Sequence, residues 1–201
     1  MPLTDTIRIT SGDTLRWHPT LVAMVVPHRA ATVPAPIVPP PVIASSKNNS
    51  DMVTCRRASA DQNWDQAAGA CRRAADARNV EAETALGMLF TGGHGVARND
   101  DSAARWFARA ASANDPVAMY QLGDAAEHGR GTARNPAAAV DWYTRAAQAG
   151  DAKSAWTLGQ AYEKGHLGLT KDKNRALDWY RKSADRGNAD AAARVRALSP
   201  P

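Results

Sequence analysis

Between Trp64 and Leu198 the apolar residues recur at helical spacing, and short polar or glycine-rich breaks interrupt them at regular intervals. Trp64, Ala67, Ala68, Cys71, Ala74 and Ala75 follow i, i+3, i+4, i+7 spacing, which predicts a one-sided helix over 63–77. Ala82, Leu86, Leu89 and Phe90 predict a second over about 81–91, which Gly92-Gly93-His94-Gly95 ends because glycine enters the left-handed region without penalty. Ala103, Trp106, Phe107, Ala110 and Ala111 predict a third that Asn99 or Asp100 caps and that runs to about 113. Asn114-Asp115 turns the chain, and Pro116 sits at a first helical position where its missing N–H costs nothing. The same order then repeats, with helices expected over 117–128, 136–149, 152–164 and 173–186, and a last one over 189–198. A short helix is expected at 51–58.

The breaks have a fixed period. Leu86-Gly87 recurs as Leu122-Gly123 and Leu158-Gly159, each after 36 residues. Trp106-Phe107 recurs as Trp142-Tyr143 after 36 and as Trp179-Tyr180 after 37, the extra residue being Leu167. A period of this length means stacked units, since one helix pair cannot bury its apolar face alone. The expected fold is all-α, about three and a half stacked antiparallel helix pairs. A capping half-repeat covers 51–78, three repeats cover 79–114, 115–150 and 151–187, and a capping helix and tail cover 188–201. Cys71 takes the slot that Phe107, Tyr143 and Tyr180 fill later.

Residues 1–50 break the pattern. They hold eight of the twelve prolines, five of them between Pro34 and Pro41, so an extended or disordered low-complexity segment is expected. Residues 6–17 alternate around Ser11-Gly12-Asp13 as a marginal hairpin would. Leu21 to Val26 is an apolar run after Arg16, at six residues shorter than the usual core of an export signal. It reads as a degraded or atypical leader. No stretch has the length of a transmembrane helix.

Composition changes little. The formal charge is +5 with a pI near 9.5, which fits a solvated basic helix surface better than a nucleic-acid site. The two cysteines, Cys55 and Cys71, are too few for a metal centre. Two readings stand side by side: a disulfide, adding about 3 kcal/mol and implying an oxidising compartment, or two small buried thiols. The disulfide and the leader together tip the expected location toward the periplasm or the exterior.

The pattern Ala-x₃-Leu-Gly-x₂-aromatic-x₂-Gly-x-Gly, then Asn/Asp, then Ala-x₂-Trp-aromatic-x₂-Ala-Ala-x₂-Gly resembles the Sel1-like repeat, a relative of the tetratricopeptide repeat. Leu122, Gly123, Gly129, Gly131, Trp142, Tyr143, Ala146, Ala147 and Gly150 match it in one copy, and Gly159, Gly165, Trp179, Tyr180 and Gly187 in the next. Departures are Asn114 for glycine, Ala126 for an aromatic, and the Leu167 insertion. The resemblance implies a right-handed α-solenoid with a concave groove and a scaffold or adaptor role without catalytic residues or cofactor. Cysteine-rich members bind or slowly hydrolyse β-lactams, which gives a small-ligand or weakly hydrolytic alternative. Those carry a cysteine pair in every repeat, where this chain has only Cys55 and Cys71.

Candidate chemistry is sparse. Trp106, Trp142 and Trp179 fall on the apolar stripes and are expected in the core, each costing about 3–5 kcal/mol to truncate. His94, His128 and His166 lie at the glycine turns, a repeat apart, too distant to share a metal ion. No nucleophile or phosphate-loop motif occurs. In such solenoids the first helix of each repeat lines the concave side. Its positions left over from the core are Glu81, Ala85 and Met88, then Val117, Gln121 and Asp124, then Lys153, Thr157 and Gln160. Of these, Glu81, Met88, Gln121, Asp124, Lys153, Thr157 and Gln160 are the expected contacts for a protein or peptide partner.

Overall fold

The computed structural model describes residues 46–199. The Pro-rich segment, the candidate hairpin and the candidate leader fall in 1–45 and, like Pro200-Pro201, lie outside the described residues. Among the described residues there are nine helices and no strand: α1 (Ser46–Ala60), α2 (Trp64–Asp76), α3 (Val80–Gly92), α4 (Asp100–Ser112), α5 (Pro116–His128), α6 (Pro136–Gln148), α7 (Ala152–Lys164), α8 (Lys173–Ala184) and α9 (Ala189–Leu198). Each packs chiefly on its neighbours in the chain, as a right-handed solenoid of helix pairs does.

Local chemistry sets the boundaries. Asn63, Asn79, Asn99, Asp115, Asn135, Asp151, Asp172 and Asn188 stand one residue before α2 to α9. Each side chain accepts a hydrogen bond from the backbone N–H three residues on, worth about 1 kcal/mol per cap. Helices α3, α5 and α7 end on Gly93, Gly129 and Gly165 in the left-handed conformation. The second glycine of the turn has a packing duty as well: a Cβ on Gly131 would lie 2.1 Å from the Asp100 carbonyl oxygen at the start of α4. In the third repeat the inserted Leu167 has φ 57° and is buried against α7, so the insertion adds core as well as length.

One contact repeats through the stack. The helical glycine of each Leu-Gly pair faces a buried ring of the following helix. Hypothetical Cβ atoms on Gly87, Gly123 and Gly159 would come within 2.5–2.6 Å of Phe107, Tyr143 and Tyr180. Glycine is needed there because the ring occupies the space of its side chain. In the first pair, Cys55 and Cys71 stand in this register and are joined in a disulfide. Cys55, Gly87, Gly123 and Gly159 all lie five residues before their helix's last residue, and Cys71, Phe107, Tyr143 and Tyr180 seven after their helix's first.

Two expectations need correction. Helix α1 starts at Ser46, ahead of the expected 51–58 and inside the segment expected to be extended or disordered. Its buried stripe, Met52, Cys55 and Ala58, lies wholly within the expected 51–58, and residues 46–50 are all polar, so nothing apolar marks the earlier start in the sequence. The tryptophans of the repeats are half-buried rather than core. Adjacent helix positions point about 100° apart, so only the second of the two aromatics can face the glycine. Each tryptophan instead lies under a cation one turn later: Arg109 at 4.6 Å from the Trp106 ring, Arg145 at 4.3 Å from Trp142 and Lys182 at 4.1 Å from Trp179.

Candidate functional site

The first helices of the three repeats, α3, α5 and α7, carry the residues expected to meet a partner. Glu81 and Met88 are exposed, Met88 by 40%, and Val117 of α5 is exposed to the same degree. Glu81 is also engaged within the molecule. Arg56 of α1 donates two hydrogen bonds to its carboxylate, and that pairing lowers the Glu81 pKa. Lys153 is exposed and holds its Nζ 4.4 Å from the centre of the Tyr120 ring.

The structure gathers the other four into two clefts. Gln121 and Asp124 line one with Thr91 and Arg130. Asp124 there ion-pairs with Arg130 and lies 3.2 Å from His128 Nδ1, so it clamps the turn after α5. Thr157 and Gln160 line the other, a cleft of about 220 Å³ shared with Glu127, Lys164 and His166. Thr157 Oγ1 donates to the Lys153 carbonyl at 3.0 Å. Glu81 and Met88 line neither cleft.

Sequence reasoning passed over the carboxylates that organise this side. Tyr143 donates to Glu127 at 2.8 Å and Tyr180 to Glu163 at 2.6 Å. Burial, then the Glu127 carboxylate, pushes the Tyr143 pKa far above its ordinary value, and burial raises that of Tyr180, so both hydroxyls stay donors. In the first repeat Phe107 has no hydroxyl, and Thr91 stands where Glu127 and Glu163 stand later. Its Oγ1 bonds the Gly87 carbonyl instead. Ring and acid thus change together, a signal legible in the aligned copies. Glu163 has a second partner, Arg194 of α9, whose Nε lies 3.0 Å away.

Tyr120 and Trp156, 36 residues apart on α5 and α7, were missed too. They are half-buried and lean on Tyr143 and Tyr180, with ring centres 5.5 and 5.0 Å apart. The turn histidines have separate surroundings: His94 stacks on Trp64 at 4.3 Å, His128 faces Asp124, and His166 Nδ1 lies 3.7 Å from Glu127. Among the described residues no three metal-ligating side chains converge, and no helix is long and apolar enough to cross a membrane.

The Sel1 repeat family model matches residues 80–115, 116–151 and 152–188. Among solved structures, a Sel1 repeat protein from Oxalobacter formigenes is similar at 29% identity and a TM-score of 0.67, over 74% of this chain and 59% of its own. A second, c5321, is a protective antigen present in uropathogenic Escherichia coli strains and displays an SLR fold; it is similar at 27% identity and a TM-score of 0.69, over 75% of this chain and 33% of its own. The chain thus spans about three fifths and one third of the lengths of these two proteins. No curated relative matches it.

Proposed function

This chain belongs to the Sel1 repeat family, and from that premise we propose that it is a non-enzymatic adaptor that holds a partner protein or peptide on the surface of α3, α5 and α7. The observation that carries this reading is the contrast between frame and face. Leucine, glycine, buried ring and cap recur in register from copy to copy. The outward positions change freely: Glu81, Val117 and Lys153 at one level, Ala85, Gln121 and Thr157 at the next, Met88, Asp124 and Gln160 at the third. A solenoid needs its frame for stability, whereas a face of such mixed chemistry is suited to recognising one particular segment. The exposed Met88 and Val117 offer apolar contacts and Gln121 and Gln160 offer amide contacts on that side.

The test is recovery of partners from a lysate of the source cells by the full chain, followed by mass spectrometry. The comparison is with a Met88→Glu, Gln121→Ala, Thr157→Ala, Gln160→Ala variant. Asp124 is left in place because it clamps its own turn. The expected result is a reproducible set of proteins that the variant loses while its melting temperature is unchanged. Recovery of the same set by both chains overturns the assignment of this face.

A further inference from the structure

Between α4 and α6 the stack carries a groove that three register positions create together. Phe90, Ala126 and Tyr162 are structurally equivalent, since each accepts on its carbonyl the hydrogen bond that closes its turn, from Asn99, Asn135 and Asp172 at 3.0, 2.7 and 2.9 Å. Two of these positions carry a ring covered by a guanidinium. Arg72 lies 5.6 Å from the Phe90 ring centre, and Arg175 lies 5.6 Å from that of Tyr162. In the middle repeat the ring and both covering cations are gone. Ala108 is the ninth residue of α4 as Arg72 is of α2, and Ala138 is the third of α6 as Arg175 is of α8.

These alanines open onto a groove of about 650 Å³ between α4 and α6, which Leu122 and the half-buried Trp142 also line. Around Phe90 the corresponding cleft, with Trp106 in place of Trp142, is about 390 Å³. The rim of the larger groove carries two arginines against one carboxylate, Asp101. Both arginines hydrogen-bond neutral oxygens: Arg105 to Ser102 Oγ at 3.2 Å and Arg134 to the Glu127 carbonyl at 3.1 Å. The rim is net positive and the interior is apolar with an aromatic wall.

We propose that this groove between α4 and α6 receives an aromatic side chain of a partner polypeptide, flanked by carboxylates, in the place that Phe90 and Tyr162 fill from within their own repeats. The inserted ring packs on Trp142 and the alanines, and the flanking acids meet Arg105 and Arg134. The groove is lined from α4, α6 and the turn before α6, with Leu122 and Ala126 from α5, and none of Met88, Gln121, Thr157 and Gln160 lines it, so either reading stands or falls without the other.

The test is titration of the ¹⁵N-labelled full chain with the peptide N-acetyl-Glu-Phe-Glu-amide, reading the Trp142 indole N–H by NMR. The expected result is a saturable shift. Replacing Phe by Ala in the peptide should weaken it about 10- to 100-fold, the worth of burying one such ring. Ala126→Phe should abolish it without lowering the melting temperature, because the first repeat already carries that ring. Ala108→Arg, a change at an exposed helix position, should weaken it as well and serves if Ala126→Phe does not fold. Equal shifts from the Ala peptide or from N-acetyl-Lys-Phe-Lys-amide overturn the proposal. So does a Trp142 shift that follows protein concentration alone, which would mean that a second copy of the chain fills the groove.

Discussion

Replacing a single glycine by alanine should have opposite effects at two helical positions of this chain. Inside a helix the change gains about 1 kcal/mol from intrinsic propensity alone. At Gly123 the new Cβ would lie 2.6 and 2.7 Å from two carbons of the Tyr143 ring. Carbon atoms pack at about 3.5–4.0 Å, so the ring must retreat by about 1 Å. It has no room to do so, being buried and tied at its hydroxyl to Glu127. Overpacking of this kind costs about 1–3 kcal/mol, and a pinned ring belongs at the upper end. The expected net loss for Gly123→Ala is therefore about 2 kcal/mol. At Gly69, on α2, the nearest atom to the new Cβ is Arg73 Nη1 at 3.6 Å, an ordinary contact. Gly69→Ala should gain about 0.5–1 kcal/mol. Thermal melts followed by circular dichroism read both, at about 2–4 °C per kcal/mol for a chain of this size. Repeat stacks can unfold in parts, so hydrogen exchange should place the Gly123→Ala loss in α5 and α6. A Gly123→Ala chain that melts at or above the parent temperature refutes the packing argument.

Tyr143→Phe leaves the mostly buried Glu127 carboxylate without its donor and should cost about 1.5–3 kcal/mol. Adding Glu127→Thr, which copies the Phe107 and Thr91 pair of the first repeat, should recover part of that in a urea-melt double-mutant cycle. Reduction of Cys55–Cys71 should destabilise the first helix pair by about 3 kcal/mol. Thiol titration of unreduced, denatured protein should find no free thiol, and two free thiols in protein from its native compartment would remove the case for an oxidising one. Glu81 has a folded-state pKa below its unfolded value. Its pairing with Arg56 thus stabilises the docking of α1 on α3 above the unfolded pKa and is lost as pH falls through the folded one. The stability gap between parent and Arg56→Gln should be small, shrink with salt, and close at low pH; a gap independent of pH would contradict the pairing.

Helix boundaries, caps and period were legible in the chain because they are local. An Asn or Asp cap bonds its own next turn, and a C-terminal glycine relieves strain at its own φ, so both can be read without knowing the neighbours. The 36-residue recurrence then implied stacking, since an isolated pair leaves its stripe bare. Positions whose role depends on another helix were not legible in this way. Trp142 and Tyr143 are adjacent on one stripe, and only the place of Gly123 on α5 decides that Tyr143 goes under it while Trp142 stays half-exposed beneath Arg145. Asp124 reads as a free surface acid until the turn folds back and brings Arg130 to it. The groove beside Ala126 shows in the sequence only as one missing aromatic. It becomes a groove because α4 and α6, 36 residues apart in register, set Ala108 and Ala138 around the same gap. Sequence by itself determined the repeating frame, through interactions within single turns of helix. The tertiary structure alone decided which surfaces remain free, because that depends on which side chains from distant turns reach each other first.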